Sequence, residues 1–408
     1  MNEDNGTNRM NGAHETKSFR RGIAMGVAMV LVLQFVGSSF INAYRRHHNI
    51  GIDPGRKINQ IVYLLENYYV GEVDRAVLID SMFSGLVFGI GDVYTTYLSP
   101  ETLRRFDERT EGRYAGIGVS VVVNRESNRI EIISAFEGAP GDRAGIRPGD
   151  KIMRVNGIDI HGDIYEEAVG MIKGPPGTSV TITLHRPSTG DTFDVDIVRD
   201  NIYVPTVAHR MVTEDIGYLR ISGFERTTSE QFMLAYENLQ AKGMKALIID
   251  VRNNPGGLLQ SVVEITDTLV DGDYIVFTEN RQGQRQFIYA DERRIEIPLA
   301  VLVNGNSASA SEVLAGAVKD TNIGVLVGTR TFGKGVVQDL FRLADGSGVK
   351  ITVSKYFTPS GICIDGEGIV PDYVVEMDEE LTANIPRLTF EEDIQLQKAV
   401  ELMELRIG

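Results

Sequence analysis

Two short motifs in the second half of the chain carry residue types that could cleave an amide bond. Residues 304–312 read NGNSASASE and place Ser309 where a predicted strand runs into a predicted helix. Residues 331–338 read TFGKGVVQ and contain Lys334 and Gln338. All six histidines precede Met211, so the serine motif has no histidine near it in the sequence, and Lys334 is the candidate base. The pattern therefore suggests acyl transfer in which a lysine amine activates a serine hydroxyl.

A serine nucleophile also needs hydrogen-bond donors for the oxyanion. The N–H of Ala310 is a candidate, because it lies in the first turn of the helix predicted to begin at Ser309. Residues 253–257 read NNPGG and follow another predicted strand. A glycine pair there exposes N–H groups, so Gly256 or Gly257 could complete the pocket, and the sequence does not choose between them.

Each motif also has an ordinary structural interpretation. Ser309 and Glu312 fit the Ser-x-x-Glu capping box of a helix, in which Glu312 is structural. A lysine between two glycines is commonly a solvated loop residue, and residues 253–257 make a good turn. The functional interpretation depends on the three motifs occurring together.

In this order the motifs resemble those of the carboxyl-terminal processing proteases, the tail-specific serine peptidases. The resembling segments are residues 246–259, 301–317, 328–340 and 349–373. The resemblance implies that Ser309 is the nucleophile, Lys334 the general base and Gln338 the residue that orients the lysine. It also implies an oxyanion hole made by Ala310 N–H with one of the two glycines, and no metal or organic cofactor.

A β-rich stretch in the middle of the chain resembles a PDZ domain. Its residues 144–150 read AGIRPGD, and Asn156-Gly157 is a strong two-residue hairpin signal. The carboxylate-binding loop of a PDZ domain is matched by Gly116, Ile117, Gly118 and Val119. The resemblance implies that protein or peptide substrates bind through their C-termini, adding as an extra strand while loop N–H groups hold the terminal carboxylate.

The N-terminal part of the chain predicts a membrane anchor. Residues 22–44 carry no formal charge and are flanked by arginine pairs at 20–21 and 45–46. A spanning helix needs about 20 mostly apolar residues. Basic residues before the segment slightly outnumber those after it, which favours a cytoplasmic N-terminus. The expected location is a bacterial cell membrane, single-pass, with an extracytoplasmic catalytic domain; a cleaved signal peptide and a buried core helix are the alternatives.

Composition restricts the partners. The net charge of −15 argues against a general nucleic-acid binder, which needs a basic face for phosphates. The single cysteine, Cys363, excludes an intrachain disulfide and a cysteine metal cluster, and we expect it to be a packed thiol. Amphipathic stretches at 58–87 and 391–405 could pair between subunits, so a homodimer is a further expectation.

The predicted fold class is an α/β protease core with crossover strand–helix units, together with a β-rich PDZ domain and an N-terminal helical segment. The predicted domains are a tail at 1–21, the anchor at 22–44, a helical region at 53–110, the PDZ domain at 113–200, the protease core at 201–390 and a C-terminal helix at 391–408. The alternative function is a non-catalytic PDZ peptide-binding scaffold on a degenerate protease fold.

Two segments depart from the family pattern. Residues 91–94 replace the more usual Asp-Pro start of their segment, and Ile362-Cys363 stands where many relatives carry a basic residue. We expect neither departure to touch the proposed Ser309–Lys334 pair.

Overall fold

The computed structural model describes residues 53–271, 274–291 and 295–408. The predicted tail and the predicted anchor at 22–44 lie outside the described residues. In the part of the chain that is described, no helix is long and apolar enough to cross a membrane.

The secondary structure follows the predicted order. The helices are Pro54–Tyr68 (α1), Arg75–Phe88 (α2), Pro100–Glu111 (α3), Pro140–Arg143 (α4), Tyr165–Ile172 (α5), Thr228–Ala241 (α6), Leu259–Asp267 (α7), Ala310–Asp320 (α8), Glu379–Ala383 (α9) and Ile394–Ile407 (α10). The strands are Thr96–Leu98 (β1), Arg113–Gly116 (β2), Val119–Asn124 (β3), Arg129–Ala135 (β4), Lys151–Val155 (β5), Ile158–Asp159 (β6), Ser179–Arg186 (β7), Asp191–Val198 (β8), Asp200–Tyr203 (β9), Val207–Met211 (β10), Ile216–Ile221 (β11), Ala246–Asp250 (β12), Tyr274–Asn280 (β13), Arg285–Tyr289 (β14), Leu299–Val303 (β15), Val325–Gly328 (β16), Val336–Arg342 (β17), Gly348–Phe357 (β18) and Tyr373–Val374 (β19).

The chain divides into two compact units, one ending at Met82 and the other running from Phe83 to Gly408. In the first unit, Arg75 donates to the Glu66 carboxylate at 2.8 Å. Apolar residues of α1 and α2, among them Ile58, Leu65 and Leu78, line an open cavity in this unit.

The β-rich module in the second unit has its own core. Strands β3, β4, β5, β7 and β8 form one antiparallel sheet, and β6 pairs with β5. Val155 pairs with Ile158 across the predicted Asn156-Gly157 turn, where both turn residues have positive φ. The module's first main strand begins at Val119, immediately after Gly118, which turns the chain with φ of 75°.

The α/β core is a six-stranded sheet in the order β10-β11-β12-β15-β16-β19. All of its neighbouring pairs are parallel except β10 with β11. Both faces are covered, which explains the continuous apolar run of β12. Leu247 and Ile249 face the core formed with α6, α7 and α8, whereas Ala246 and Ile248 pack with α10.

A second sheet in this unit contains β1, β13, β14, β17 and β18. Residues 53–110 are mostly helical, and the short strand β1 lies between two of the helices: Leu98 pairs with Gly348 and Thr96 with Lys350 of β18. Three residues carry no detectable strand periodicity, so only the distant partner strand makes this segment extended. Helix α3 is capped at its start by Ser99, whose Oγ accepts from Thr102 N–H at 3.3 Å.

Candidate active site

Ser309 is the residue immediately before α8, at a tight turn from β15. Its φ of 56° and ψ of −113° are rare for a residue other than glycine. Such a backbone persists only where its surroundings hold it. Ser309 N–H donates to Glu312 Oε2 at 2.9 Å, and Ser309 O accepts from the N–H groups of Glu312 and Val313 at 2.8 and 3.0 Å. The backbone of Ser309, whose side chain is the predicted nucleophile, is therefore held in place by three hydrogen bonds.

The Glu312 carboxylate joins the serine motif to the lysine motif. It is fully buried, and its Oε1 accepts from Thr331 Oγ1 at 2.6 Å and from Gly333 N–H at 2.7 Å. Its Oε2 accepts from Lys334 N–H at 2.9 Å as well as from Ser309 N–H. The backbone nitrogens of the proposed nucleophile and the proposed base thus share one acceptor atom.

The lysine loop packs closely against the segment before β19. Gly366 N–H donates to Gly333 O at 2.9 Å, and a methyl group on Gly335 would lie 2.1 Å from the nitrogen of Asp365. Only glycine at position 335 permits this approach.

The Lys334 amine lies against an aromatic ring. Its Nζ is 4.8 Å from the centroid of Tyr94, in the stretch 91–94 that we expected to lie away from the proposed pair. That expectation is wrong because the following strand, β1, docks on β18 and carries Tyr94 to the lysine loop. Among the described residues, Nζ makes no hydrogen bond to Ser309 or Gln338.

The turn at 253–257 lies against Ser309. A methyl group on Gly256 would be 2.9 Å from Ser309 Cβ and 3.0 Å from Ala310 N. The buried Asn254 holds the turn there: its backbone O accepts from Ala308 N–H at 3.0 Å and from Ser311 Oγ at 2.9 Å. The three predicted motifs therefore meet at one place.

The two glycines of that turn differ in their hydrogen bonds. Gly256 N–H donates to Asn254 Oδ1 at 2.8 Å. Within the described residues, the N–H groups of Gly257 and Ala310 have no hydrogen-bond partner. A donor already engaged inside the turn is less available to another acceptor, so Gly257 N–H is the more available of the two glycine donors.

Gln338 does not contact Lys334 through a hydrogen bond in this structure. Its Nε2 donates to Val336 O, two residues earlier on the same strand, at 3.0 Å. Gln338 lies four residues after Lys334 in the chain, but the hydrogen bond by which it was predicted to orient the lysine amine is not made in this structure.

The predicted carboxylate-binding loop lies at the mouth of an apolar groove between β3 and α5. The groove is lined by Ile117, Val119, Val121, Tyr165, Val169 and Ile172. Ile117 O and Gly118 O accept from Gly141 and Phe136, whereas the N–H groups of both loop residues have no partner among the described residues.

Tyr114, which also lines the groove, lies close to this loop. Burial raises the pKa of the Tyr114 phenol to about 12, and its interaction with the Val119 backbone offsets part of the rise.

Comparison with known proteins assigns the chain to a family. The family model of peptidase family S41 matches residues 215–375, and that of the PDZ domain matches residues 132–186. The chain is 35% identical over 353 residues to carboxy-terminal processing protease CtpA of Bacillus subtilis (strain 168), covering 86% of this chain and 75% of that protein. The chain belongs to the S41 carboxy-terminal processing proteases. This peptidase is a serine hydrolase with a PDZ domain.

Two further comparisons agree. The peptidase is 33% identical over 390 residues to the carboxyl-terminal-processing protease of Picosynechococcus sp. (strain ATCC 27264 / PCC 7002 / PR-6), covering 94% of this chain and 91% of that protein. A solved structure assigned to the S41 proteases, from Bacteroides fragilis NCTC 9343, has a TM-score of 0.51 at 16% identity, covering 78% of this chain and 87% of that one. That likeness shows the shared fold, and the predicted family and fold class are confirmed.

The environment of Lys334 in the peptidase favours a neutral amine. Burial lowers the pKa of Lys334, and the positive charge of Lys350 lowers it further, while the charge of Glu312 opposes both. The net direction is downward, as a lysine acting as a base requires.

Behind the 253–257 turn lies a buried ion cluster that the sequence did not reveal. Arg252 is fully buried and donates to both carboxylate oxygens of Asp250, to both of Asp393 and to Gln395 Oε1. Tyr218 Oη donates to Asp250 at 2.6 Å. Because Arg252 immediately precedes the turn, this cluster ties residues 253–257 to the N-terminal end of α10.

Other residues of the site had only weak sequence signals. The Ser-x-x-Glu spacing pointed to Glu312 as a cap, but not to its bonds with the lysine loop. Asn254 and Tyr94 carried no signal beyond their turn and loop positions. Among the residues that the structure describes, no group of three or more His, Cys, Asp or Glu side chains could hold a metal ion.

Proposed function

We propose that this S41 peptidase is an endopeptidase that cleaves protein substrates with a Ser309–Lys334 dyad. The observation that carries the proposal is the Glu312 bridge, which fixes the backbones of both residues to one buried carboxylate. The lowered pKa of Lys334 supports its role as base. Gln338 is proposed to orient the amine once substrate is bound.

In this mechanism Ser309 Oγ attacks the scissile carbonyl and its proton passes to the neutral Lys334 amine. The N–H groups of Ala310 and Gly257 stabilise the oxyanion. Lys334 then protonates the leaving amine, and the acyl-enzyme forms. The Lys334 amine, neutral again, takes a proton from a water molecule whose oxygen attacks the ester carbonyl. Lys334 then returns that proton to Ser309 Oγ as the acyl C–O bond breaks and the carboxylic acid product leaves.

Replacing either member of the dyad is expected to remove proteolysis of an unstructured protein. Ser309→Ala and Lys334→Ala lose the nucleophile and the base, respectively. Lys334→Arg keeps the positive charge but cannot supply a neutral amine, so it should be equally inactive. The measurement is the release of fragments by the full chain, with Lys355→Arg, an exposed lysine on β18, as the active control. Full activity of Lys334→Arg would exclude Lys334 as base, and cleavage by no variant, wild type included, would favour the peptide-binding scaffold.

The dyad also predicts a pH dependence. Activity requires the neutral amine, so kcat/KM should rise with pH through the lowered pKa of Lys334. Lys350→Met removes a positive charge that lowers this pKa. The pKa of Lys334 should then rise, and the acid limb of the profile should move to higher pH with an unchanged plateau. Lys355→Met, which loses an ion pair with Asp365 instead, should leave the limb in place; a limb unmoved in both variants would contradict the assignment.

The PDZ domain is proposed to bind peptide C-termini and to gate activity. The support is the groove between β3 and α5 with the unpartnered N–H groups of Ile117 and Gly118 at its mouth. A peptide with a free C-terminal carboxylate should bind about tenfold tighter than the same peptide with an amidated C-terminus, because hydrogen bonds to a charged group contribute more to the binding free energy. Fluorescence polarisation on the Ser309→Ala chain measures binding without cleavage. Equal affinities would contradict the proposal.

Residues 22–44 are proposed to anchor the peptidase in the cell membrane as a single span, with the catalytic domain outside the cytoplasm. The support is their length, their lack of charge and the flanking arginines. The full chain should sediment with membranes, and a chain starting at Gly51 should not. Recovery of the intact full chain in the soluble fraction would contradict the anchor.

A homodimer is proposed through the N-terminal helices. Ile61, Leu64 and Val77 of α1 and α2 are 46%, 47% and 61% exposed. The other predicted pairing stretch, in α10, packs Leu396, Val400 and neighbouring residues on its own sheet. Light scattering should give a molar mass of twice that of one chain for the wild type, and the mass of a single chain for Leu64→Lys.

A further inference from the structure

Strand β17 begins two residues after Lys334, and among the described strands it pairs with β18 alone. At its two ends, Tyr356 N–H donates to Gly335 O and Leu343 N–H donates to Ser347 O. The register of this pairing shifts between Val337 and Gln338, whose partners on β18 are Ser354 and Thr352. The extra residue therefore lies on β18, and successive residues of β17 still point their backbone groups alternately towards β18 and away from it. Residues 337, 339 and 341 therefore hydrogen-bond to β18, and Val336, Gln338, Leu340 and Arg342 direct their N–H and C=O groups to the opposite edge.

That outer edge is open in the described structure. The backbone groups of Gln338, Leu340 and Arg342 that point outward have no hydrogen-bond partner among the described residues. An unpaired strand edge is a template for an extended chain. Because this edge starts beside the proposed base, an added strand would pass the place where an amide must be presented for cleavage.

The first acceptor of the edge is already occupied by the protein itself. Gln338 Nε2 donates to Val336 O at 3.0 Å. The carboxamide thus fills the position that the N–H of an incoming strand would take. In this position Gln338 makes no hydrogen bond to Lys334 among the described residues.

We propose that an extended segment of the polypeptide substrate adds to the outer edge of β17, and that its N–H displaces the Gln338 carboxamide from Val336 O. The released carboxamide is then available to orient the Lys334 amine, so substrate binding completes the catalytic arrangement. This inference rests on the proposed function, and it adds where the substrate binds and what Gln338 does before binding.

Backbone pairing predicts a period of two along the substrate. The probe is a synthetic peptide that the wild-type chain cleaves at one mapped bond, together with a set carrying a single N-methyl group at each successive residue on one side of that bond. N-methylation removes one donor and adds bulk. At alternate residues kcat/KM should fall about tenfold, and at the residues between them it should stay near that of the parent peptide.

A protein variant tests the same edge. Leu340→Pro removes an N–H group that points to the outer edge of β17. An edge strand tolerates proline at such a position, and the proline ring blocks the pairing of an added strand. Relative to Leu340→Ala, it should lower kcat/KM about tenfold for a peptide long enough to reach Leu340 and leave a shorter peptide unaffected. Thermal unfolding should match Leu340→Ala; if the proline variant fails to fold, the N-methyl series decides alone.

The outcomes separate this inference from the proposed function. A flat N-methyl series, with cleavage by wild type and none by Ser309→Ala, would overturn pairing on β17 and leave the dyad standing. Loss of the dyad itself would appear as cleavage by Ser309→Ala. An alternating series together with the Leu340→Pro loss supports the edge as the substrate site.

Discussion

Glu312→Gln is expected to lower kcat of the peptidase by about 100-fold, because small displacements of catalytic groups are costly. The wild-type carboxylate accepts four hydrogen bonds, from Ser309 N–H, Lys334 N–H, Gly333 N–H and Thr331 Oγ1. A carboxamide presents an NH2 group to two of these donors, so one side of the bridge must open. Either the serine turn or the lysine loop then moves from its position.

The loss should appear in kcat and not in KM, since Glu312 is fully buried and out of contact with solvent and substrate. Labelling of Ser309 by a fluorophosphonate should slow in parallel, which a loss of overall stability alone would not produce in protein that is still folded. The free energy of unfolding should fall by about 1.5–3 kcal/mol, the usual value of a hydrogen bond to a charged group.

Glu264→Gln is the matched control for Glu312→Gln. Glu264 lies on α7, is exposed and accepts from Ser229 and Gln260. Its replacement should leave kcat and the labelling rate unchanged. Wild-type kcat in the Glu312→Gln variant would show that the bridge does not position the dyad.

Arg252→Met is expected to lower the free energy of unfolding by about 3–5 kcal/mol at pH 7, as measured by urea unfolding. The change leaves the buried carboxylates of Asp250 and Asp393 without the guanidinium that bonds them both. Activity should also fall, because the turn that carries Gly256 and Gly257 directly follows Arg252 in the chain.

The destabilisation should shrink as the pH falls towards 5. Burial raises the pKa of Asp250, but the charge and hydrogen bonds of Arg252 and the Tyr218 hydroxyl outweigh it and hold the pKa below its usual range. In the wild type, the ionised Asp250 therefore stabilises the fold. Its contribution is complete above pH about 3.9, the pKa of an aspartate in the unfolded chain, and is lost only as the pH falls through the lower pKa of Asp250 in the folded protein. Without Arg252, burial raises the folded pKa of Asp250 above the unfolded one, so the variant loses stability as the pH rises.

Arg226→Met provides the comparison for Arg252→Met. Arg226 pairs with Glu111 at the surface, and its side chain is 55% exposed. Its loss should change the free energy of unfolding by no more than about 0.5 kcal/mol at either pH. An Arg252→Met effect of that size, or one that grows on acidification, would show that the cluster does not stabilise the fold in this way.

The sequence by itself determined the features that depend on local spacing. The sequence predicted a strand before residues 253–257 and another before residues 304–312, and these are β12 and β15. The Asn156-Gly157 pair predicted the hairpin between β5 and β6. The Ser-x-x-Glu spacing predicted the contact between Glu312 and Ser309 N–H. These features are short-range, so residue type and separation along the chain are sufficient to specify them.

Only the tertiary structure decided which distant polar groups meet. It placed Lys334 N–H on the same oxygen of Glu312 as Ser309 N–H, and it set the Lys334 amine against Tyr94. It left Gly257 N–H open while engaging Gly256, and it directed Gln338 to Val336 O. The physical reason is that a buried polar group must find a partner wherever packing brings one, and chain separation carries no information about that distance.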